Sequence, residues 1–290
     1  MFIRRSLSLL LSLALLLCLF SACAEEGRWG EYSDPAEAAV LREKMKYIVH
    51  AAGTLTGVDH DGVTRPFDGS NSLEGLTQCA EAGAEIIELD FNFTADGALV
   101  CLHDWYREYA DGITDNVPLT LAEFRNLRIY GNFTPVWLGD LIAFLNAHPG
   151  VCIVTDIKDD NLAGLAAIAE ACPEMKNRFL VQIYDGDEYD AVRALGFEYV
   201  IYTLYRLDWN SKTDWRALGR FAETHPLLGF TFSYELCAVD GYVEGMSSAG
   251  VPLFIHTVNG EAEQQRYFAM GIDGIYTDEV KGAPLSESNP

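Results

Sequence analysis

Two acidic residues and a histidine lie close together in one short stretch of this sequence. Glu88 and Asp90 stand two residues apart in an apolar run, and His103 follows a turn at residues 94–97 that contains Asp-Gly. Asp-Gly between two apolar runs is typical of a β-hairpin, because glycine adopts the positive φ that such turns need. Residues two apart on a strand face the same side. The pattern therefore predicts that the acid pair gains His103 as a neighbour, which is half of a metal-assisted acid–base site.

The elements that must position these residues are short apolar runs alternating with helix-like stretches. Parallel strands are predicted at residues 47–50, 86–91, 151–158, 179–184, 199–204, 228–233, 253–258 and 274–277. The turn at 94–97 is too short for a crossover helix, so the strand after it must be an antiparallel excursion. Eight β/α units in roughly 240 residues is the size of a TIM barrel. A doubly wound open sheet is the structural alternative, but no G-x-G-x-x-G or P-loop motif follows any of the strands, and the barrel is favoured. The prediction is an α/β TIM (β/α)8 barrel with a β-hairpin excursion after its second strand.

Further polar residues stand at the carboxyl ends of the predicted strands, where TIM-barrel active sites form. They are His50, Asp156, Lys158, Thr257, Asn259 and Asp278. A lone aspartate at a strand end usually caps the next helix, and we expect this of Asp104 and Asp278. The remaining carboxylates are hard oxygen ligands suited to Ca²⁺ or Mg²⁺. Two histidines can act as base and acid near neutral pH.

These motifs resemble those of the glycerophosphodiester phosphodiesterase family, within the wider phosphatidylinositol-phospholipase-C-like barrels. The resemblance rests on Asn71-Ser72-Leu73, Gly83-Ala84, Glu88-Leu89-Asp90, the turn at 94–97, His103-Asp104, Asp156-Ile157-Lys158, Thr257-Val258-Asn259 and the closing segment 273–278. It implies that His50 and His103 are the catalytic acid–base pair. It also implies that Glu88, Asp90 and Asp156 hold one divalent ion. The substrate-binding residues that it implies are Lys158, Asn71, Asn259 and His256.

The sequence departs from the family pattern at three places. The family usually has His-Arg-Gly, whose arginine contacts the phosphate, but Ala51 and Ala52 follow His50 here. Asp156 replaces a commoner glutamate, and His256 stands where tryptophan is usual. Arg65, in the long loop predicted at residues 54–70, either replaces the missing positive charge or lies on the surface.

The residues and the resemblance together predict a divalent-metal-dependent phosphodiesterase that acts on glycerophosphodiesters or related phospholipid-derived diesters. Attack by water would release a phosphomonoester, whereas attack by a neighbouring substrate hydroxyl would give a cyclic phosphate, as in related phospholipases. A glycoside hydrolase that uses Glu88 and Asp156 as its carboxylate pair leaves both histidines unexplained. A degenerate barrel that binds a phosphorylated ligand without cleaving it is a further alternative, motivated by Ala51.

The ends of the chain and its charge bear on location and partners. Residues 1–24 are predicted to be a signal peptide, because Arg4 and Arg5 precede a short apolar run and a small-residue exit. The exit fits either cleavage after Ala24 or a lipoprotein signal with a lipid on Cys23. Residues 25–40 are predicted to be a polar lead, and residues 41–285 the barrel. The net charge of −23 argues against nucleic acid as a partner. We expect a secreted or extracytoplasmic protein that contacts membrane only through a lipid at Cys23.

Overall fold

The computed structural model describes residues 32–280. The predicted signal peptide and Cys23 lie outside these residues. Within residues 32–280, no helix combines the length and the apolar character needed to cross a membrane. The strands in this range are β1 (Tyr47–Val49), β2 (Leu55–Val58), β3 (Thr64–Phe67), β4 (Ile86–Phe93), β5 (Leu99–Cys101), β6 (Val136–Trp137), β7 (Cys152–Ile157), β8 (Phe179–Ile183), β9 (Val200–Thr203), β10 (Gly229–Ser233), β11 (Leu253–His256) and β12 (Gly274–Thr277).

The α-helices of the same range lie mainly between the strands. They are α1 (Pro35–Lys44), α2 (Leu73–Glu81), α3 (Leu121–Phe124), α4 (Leu138–Ala147), α5 (Asn161–Ala171), α6 (Tyr189–Ala194), α7 (Trp209–Thr213), α8 (Trp215–Thr224), α9 (Tyr242–Ser247) and α10 (Glu261–Ala269). Short 3₁₀ turns at residues 50–52, 173–178, 186–188 and 234–238 complete the connections.

The parallel strands close into a barrel. The order is β1, β12, β11, β10, β9, β8, β7 and β4, and β4 pairs back with β1 through Val49 and Ile87. The predicted TIM barrel is confirmed. The predicted excursion is present as well, since β5 runs antiparallel to β4 with Cys101 opposite Phe91, and β6 continues the sheet.

Two segments differ from the sequence prediction. Helix α1 begins after Asp34, whose side chain accepts hydrogen bonds from the first turn, and its Leu41 packs beneath the barrel. The domain boundary predicted at residue 41 therefore falls inside a helix. The loop predicted at 54–70 contains the hairpin β2–β3, in which Leu55 pairs with Phe67. This hairpin was missed because Thr64–Phe67 contains a proline and three exposed residues, so it lacks the apolar alternation typical of a strand.

Side chains inside the barrel change from apolar to polar along each strand. Alternate residues of each strand face the interior. The lower layer is apolar and contains Ile48, Ile86, Val154, Leu180, Ile201 and Phe254. Two residues further along the strands, the inward positions are His50, Glu88, Asp156, Gln182, Thr203 and His256. The fold thus places a polar cavity on an apolar floor at the carboxyl ends of the strands.

Candidate active site at the carboxyl ends of the strands

Three buried carboxylates converge at one side of the cavity. Strand β4 contributes Glu88 and Asp90, and β7 contributes Asp156, which lies opposite Asp90 in the parallel register. Glu88 and Asp90 are each 2% exposed and Asp156 is 9% exposed. One oxygen atom from each carboxylate lies within 4.8 Å of the others. The predicted metal ligands are therefore brought together.

Neighbouring polar groups fix the orientation of these carboxylates. Asn71 donates from Nδ2 to Asp90 Oδ2 at 2.8 Å, and its Oδ1 accepts from the Asp90 amide at 2.9 Å. The backbone N–H of Ala51 donates to Glu88 Oε2 at 2.8 Å. Lys158 Nζ lies 2.8 Å from both Asp90 Oδ1 and Asp156 Oδ2. Asn71 thus supports an acid directly, and contact between Asn71 and substrate stays a prediction.

Two tyrosines that the sequence analysis did not single out bind Asp156. The hydroxyls of Tyr184 and Tyr205 both donate to Asp156 Oδ1, the second at 2.9 Å. Arg206 packs over the Tyr184 ring at 3.5 Å and donates to the carbonyl of Ile157. Burial, together with Asp156, raises the pKa of Tyr205 to about 12, so its hydroxyl keeps its proton. Each tyrosine stands two residues beyond an inward polar residue, Gln182 or Thr203, and this alternation is the signal that the sequence offered. It does not show by itself which alternate positions face inward.

Each of the two predicted catalytic histidines pairs with an aspartate. His50 Nδ1 lies 2.7 Å from Asp278 Oδ1, and His103 Nδ1 lies 2.5 Å from Asp104 Oδ2. No helix within the described residues begins at either aspartate, so the expectation that they act as helix caps is wrong. Asn259 donates to Asp278 Oδ2 at 2.6 Å and accepts from the Asp278 amide. Asn259 therefore supports the His50 pair, and its contact with substrate stays a prediction.

The charge states of these groups follow from burial and from their neighbours. Burial lowers the pKa of His50, but the hydrogen bond to Asp278 and the nearby carboxylates outweigh it and raise that pKa to about 9. Burial and the adjacent Asp90 raise the pKa of Glu88 to about 8. Burial also raises the pKa of Asp90, but the nearby positive charges of Lys158, His103 and His50 together outweigh burial, and the net shift is downward. His50 is thus a cation at neutral pH, set among acids.

The segment after β1 has an unusual backbone. Ala51 and Ala52 have φ values of 45° and 63°, a left-handed region that costs a residue with a Cβ roughly 1–2 kcal/mol. Both side chains are fully buried, and this backbone directs the Ala51 N–H at Glu88. Arg65 lies on β3, where it pairs with Asp59 at 3.5 Å and packs over the Phe67 ring. Arg65 does not line the cavity, so it does not replace the expected arginine.

The cavity enclosed by these groups measures about 250 Å³. It is lined by His50, Glu88, His103, Asp156, Lys158, Gln182, Thr203, Tyr205, Thr231, His256 and Tyr276. Six of these are residues that the sequence analysis assigned to the site. Among the lining residues that the structure describes, only Lys158 has an ammonium or guanidinium group.

The profile of the glycerophosphoryl diester phosphodiesterase family matches residues 60–281 of this chain. The chain belongs to this family. Its members are phosphoric diester hydrolases, which confirms the enzyme class predicted from the motifs. The match to the glycerophosphoryl diester phosphodiesterase profile begins ten residues after His50, so the His-Ala-Ala-Gly segment is not covered by it.

Similar proteins agree with the family assignment. A glycerophosphodiester phosphodiesterase of Caldanaerobacter subterraneus is 25% identical over 229 residues, which cover 72% of this chain and 88% of the relative. A phosphodiesterase of Oleispira antarctica, solved in complex with the product sn-glycerol-3-phosphate, is 18% identical with a TM-score of 0.63, covering 81% of this chain and 94% of that one. A glycerophosphodiester phosphodiesterase of Thermotoga maritima is 19% identical with a TM-score of 0.61, covering 82% and 96%. The two solved structures support the fold.

The acidic cluster of this family member fits a divalent ion. Three buried carboxylates face one buried ammonium, so the cluster carries an excess of negative charge when ionised. Asp90 Oδ1 accepts no hydrogen bond within the described residues, although Lys158 Nζ lies 2.8 Å away. The donor atoms are all carboxylate oxygens, which Ca²⁺ and Mg²⁺ prefer. Zinc would favour more nitrogen or sulfur ligands.

Proposed function

We propose that this chain hydrolyses glycerophosphodiesters in a divalent-metal-dependent reaction, with His50 as general acid and His103 as general base. The observation that carries the proposal is the convergence of three buried carboxylates and two histidine–aspartate pairs around one cavity. A glycoside hydrolase would use the carboxylates and leave both pairs without a role.

His50 has the properties of a general acid. Its pKa of about 9 keeps the ring protonated at neutral pH, because Asp278 and the acidic cluster favour the cation. Nδ1 is held by Asp278, so Nε2 carries the proton that goes to the leaving alkoxide. A group with a pKa near the operating pH combines the correct protonation state with a sufficient driving force.

His103 has the geometry of a general base. Its Nδ1 is held by Asp104, which leaves Nε2 to accept the proton of the attacking group. Asp104 fixes the tautomer, as carboxylates commonly do for histidines that transfer protons. His50 follows β1 and His103 follows β5, so the two histidines approach the cavity from different elements.

Glu88, Asp90 and Asp156 are the residues that would hold the ion. A bound Ca²⁺ or Mg²⁺ would neutralise the charge on a phosphoryl oxygen and polarise the phosphorus atom. Lys158 adds a fixed positive charge next to the same carboxylates, and burial opposed by Asp90 and Asp156 leaves the pKa of Lys158 well above its usual range.

The substrate is proposed to be a small diester with a glycerophosphate moiety. The Oleispira antarctica relative was crystallised with sn-glycerol-3-phosphate, and the cavity of about 250 Å³ lies below the roughly 300–1,000 Å³ of pockets that enclose drug-sized ligands. The proposed location remains outside the cytoplasm, either secreted or anchored by a lipid on Cys23. It rests on the amino-acid pattern of residues 1–24.

The test is turnover of sn-glycero-3-phosphoethanolamine by residues 26–290, with the products separated by chromatography. We expect sn-glycerol 3-phosphate to form in the presence of Mg²⁺ or Ca²⁺ and to disappear with chelator. A cyclic glycerophosphate as first product would assign attack to the substrate hydroxyl instead of water. Binding without any product would support the degenerate barrel, and undiminished turnover in chelator would contradict the proposal.

A further inference from the structure

A hydrogen-bond network outside the cavity supports the pair of His50 and Asp278. Asn259 donates from Nδ2 to Asp278 Oδ2 at 2.6 Å, and its Oδ1 accepts from the hydroxyl of Thr277 at 2.9 Å. Gln264, on helix α10, donates from Nε2 to Thr277 Oγ1 at 3.2 Å. The residues that line the cavity do not include Gln264, Thr277 or Asn259. We call Gln264, Thr277, Asn259 and Asp278 the Asp278 network.

Gln264 and Thr277 lie between the barrel and helix α10, and both are fully buried. Thr277 ends β12, and its side chain alternates with that of Tyr276, which lines the cavity, so Thr277 faces the helix layer. The amide of Gln264 is costly in this place, because its buried Oε1 makes no hydrogen bond within residues 32–280. An apolar side chain of similar length would leave no such atom, so packing alone does not explain a glutamine here.

Neighbouring groups determine the direction of each hydrogen bond in the network. The carbonyl oxygen of Val258 can only accept, and it lies 3.0 Å from Gln264 Nε2. This contact directs the Nε2 side of the amide towards Thr277. Thr277 Oγ1 also accepts from the Glu279 amide at 3.2 Å. Since a hydroxyl oxygen has two acceptor positions, Thr277 can only donate in its third contact, and it donates to Asn259 Oδ1.

The hydroxyl proton of Thr277 determines the orientation of the Asn259 amide. Asn259 Oδ1 accepts from Thr277 and from the backbone N–H of Asp278 at 2.9 Å, so its Nδ2 is directed at Asp278 Oδ2. A reversed amide would place Oδ1 against this carboxylate, and two acceptors repel each other. The carboxylate is held at Oδ2 and presents Oδ1 to His50 Nδ1 at 2.7 Å. The orientation of the His50 ring therefore depends on hydrogen bonds made outside the cavity.

We propose that Gln264 is a positioning residue, which acts through the Asp278 network to orient His50. It keeps the Thr277 hydroxyl directed at Asn259, and so keeps the imidazole aligned for proton transfer to the leaving group. Small misalignments of a group that transfers a proton are costly in rate. This inference rests on the proposed phosphodiesterase function, in which His50 is the general acid, and adds a residue of helix α10 to it.

The experiment compares substitutions that keep the shape of a side chain with one that keeps its hydrogen bond. Gln264→Met removes the Nε2 donor from a side chain of similar length. Thr277→Val removes the hydroxyl and keeps the branched shape, whereas Thr277→Ser keeps the hydroxyl. The control is Gln265→Met, at the exposed neighbour of Gln264 on the same helix. Thermal unfolding of each variant checks that it folds.

Two substrates that differ only in the leaving group report on the general acid. The leaving alkoxide of sn-glycero-3-phosphoethanolamine needs a proton, whereas the 4-nitrophenyl ester of sn-glycerol 3-phosphate releases a phenolate that is stable without one. We expect Gln264→Met and Thr277→Val each to lower kcat for the first substrate about tenfold, while KM stays within about twofold. The kcat for the ester should stay within about twofold.

Thr277→Ser and Gln265→Met should keep at least about half of the wild-type kcat with both substrates. Retention by Thr277→Ser together with loss in Thr277→Val assigns the effect to the hydroxyl and not to the packing of the side chain. If Gln264→Met fails to fold, this comparison decides in the same way, because Thr277 is the residue through which Gln264 acts.

The outcomes separate the two proposals. Absence of turnover of both substrates by the wild type overturns the phosphodiesterase function, and the positioning role with it. Turnover by the wild type, with equal losses of kcat on the two substrates in Gln264→Met and Thr277→Val, keeps the function and shows that the role of Gln264 is only structural. An unchanged kcat in folded Gln264→Met likewise keeps the function and overturns the positioning role.

Discussion

His50 and Asp278 join the first and last strands of the barrel through a hydrogen bond of 2.7 Å between Nδ1 and Oδ1. Neither residue is near the other in sequence, and barrel closure between β1 and β12 brings them together. The pair determines the protonation state of the proposed general acid, since Asp278 is the principal group that raises the pKa of His50 to about 9.

We predict that Asp278→Asn moves the alkaline limb of kcat/KM to lower pH by about one unit or more. That limb reports the general acid of the free enzyme. Asparagine keeps the shape of the side chain but removes the negative charge that favours the imidazolium. The measurement is kcat/KM between pH 5 and 10 with saturating metal. An unchanged limb would show that His50 is not the acid.

The same pair should make a pH-dependent contribution to stability. The pKa of His50 is raised from 6.5 in the unfolded chain to about 9 in the fold, so its contribution is complete below pH 6.5 and is lost as pH rises through about 9. We therefore expect the difference in Tm between the wild type and Asp278→Asn to shrink between pH 6.5 and pH 10. Calorimetry in chelator measures it, and a difference that grows over this range would contradict the assignment.

Glu88→Gln should have opposite effects with and without metal. Burial and Asp90 make ionised Glu88 unfavourable in the fold, as its pKa of about 8 shows, so the neutral variant should have the higher Tm in chelator at pH 8. With Mg²⁺ or Ca²⁺ the wild type should gain Tm and the variant should gain much less. Glu85→Gln, whose side chain is half exposed beside Lys44, is the matched control and should keep the metal response.

Tyr205→Phe should weaken metal binding without removing a ligand. The hydroxyl of Tyr205 donates to Asp156 Oδ1 at 2.9 Å and so helps to orient this shorter acid. Loss of a group that orients a ligand typically costs 10–100-fold in metal affinity. We expect about a tenfold increase in the metal concentration for half-maximal activity. Tyr234→Phe, at an exposed tyrosine after β10, should leave this metal concentration unchanged. Equal effects of both substitutions would contradict this role of Tyr205.

Gly274 should be intolerant of any side chain. A Cβ there would lie 2.2 Å from the Met45 carbonyl oxygen and 2.8 Å from the Phe254 ring. Because backbone atoms cannot move aside cheaply, Gly274→Ala should lower the free energy of unfolding by at least about 2 kcal/mol. At Gly150 a Cβ meets nothing within 4 Å, so Gly150→Ala should change the free energy of unfolding by less than about 0.5 kcal/mol. Urea titration of both variants compares them, and equal stability would contradict the packing argument.

The sequence predicted the barrel because its strands were near-continuous apolar runs separated by helices, and the turn at 94–97 revealed the excursion. It also located the acids and histidines, since these residues end their strands. It did not reveal the partners of His50 and His103, because an aspartate after a strand is more often a helix cap. The tyrosines on Asp156 were missed for another reason. Their alternation with apolar neighbours was visible, but which alternate positions face inward depends on how the barrel closes.

The most direct test of the account is the rate of sn-glycero-3-phosphoethanolamine hydrolysis by the wild type, His50→Ala and His103→Ala in one metal-replete buffer at pH 7.5. Removal of a general acid or base typically costs 10²–10⁴-fold. The account predicts that each variant loses at least about a hundredfold in kcat while both remain folded and bind the metal. Retention of more than about a tenth of the wild-type kcat by either variant would contradict the assignment of the two histidines.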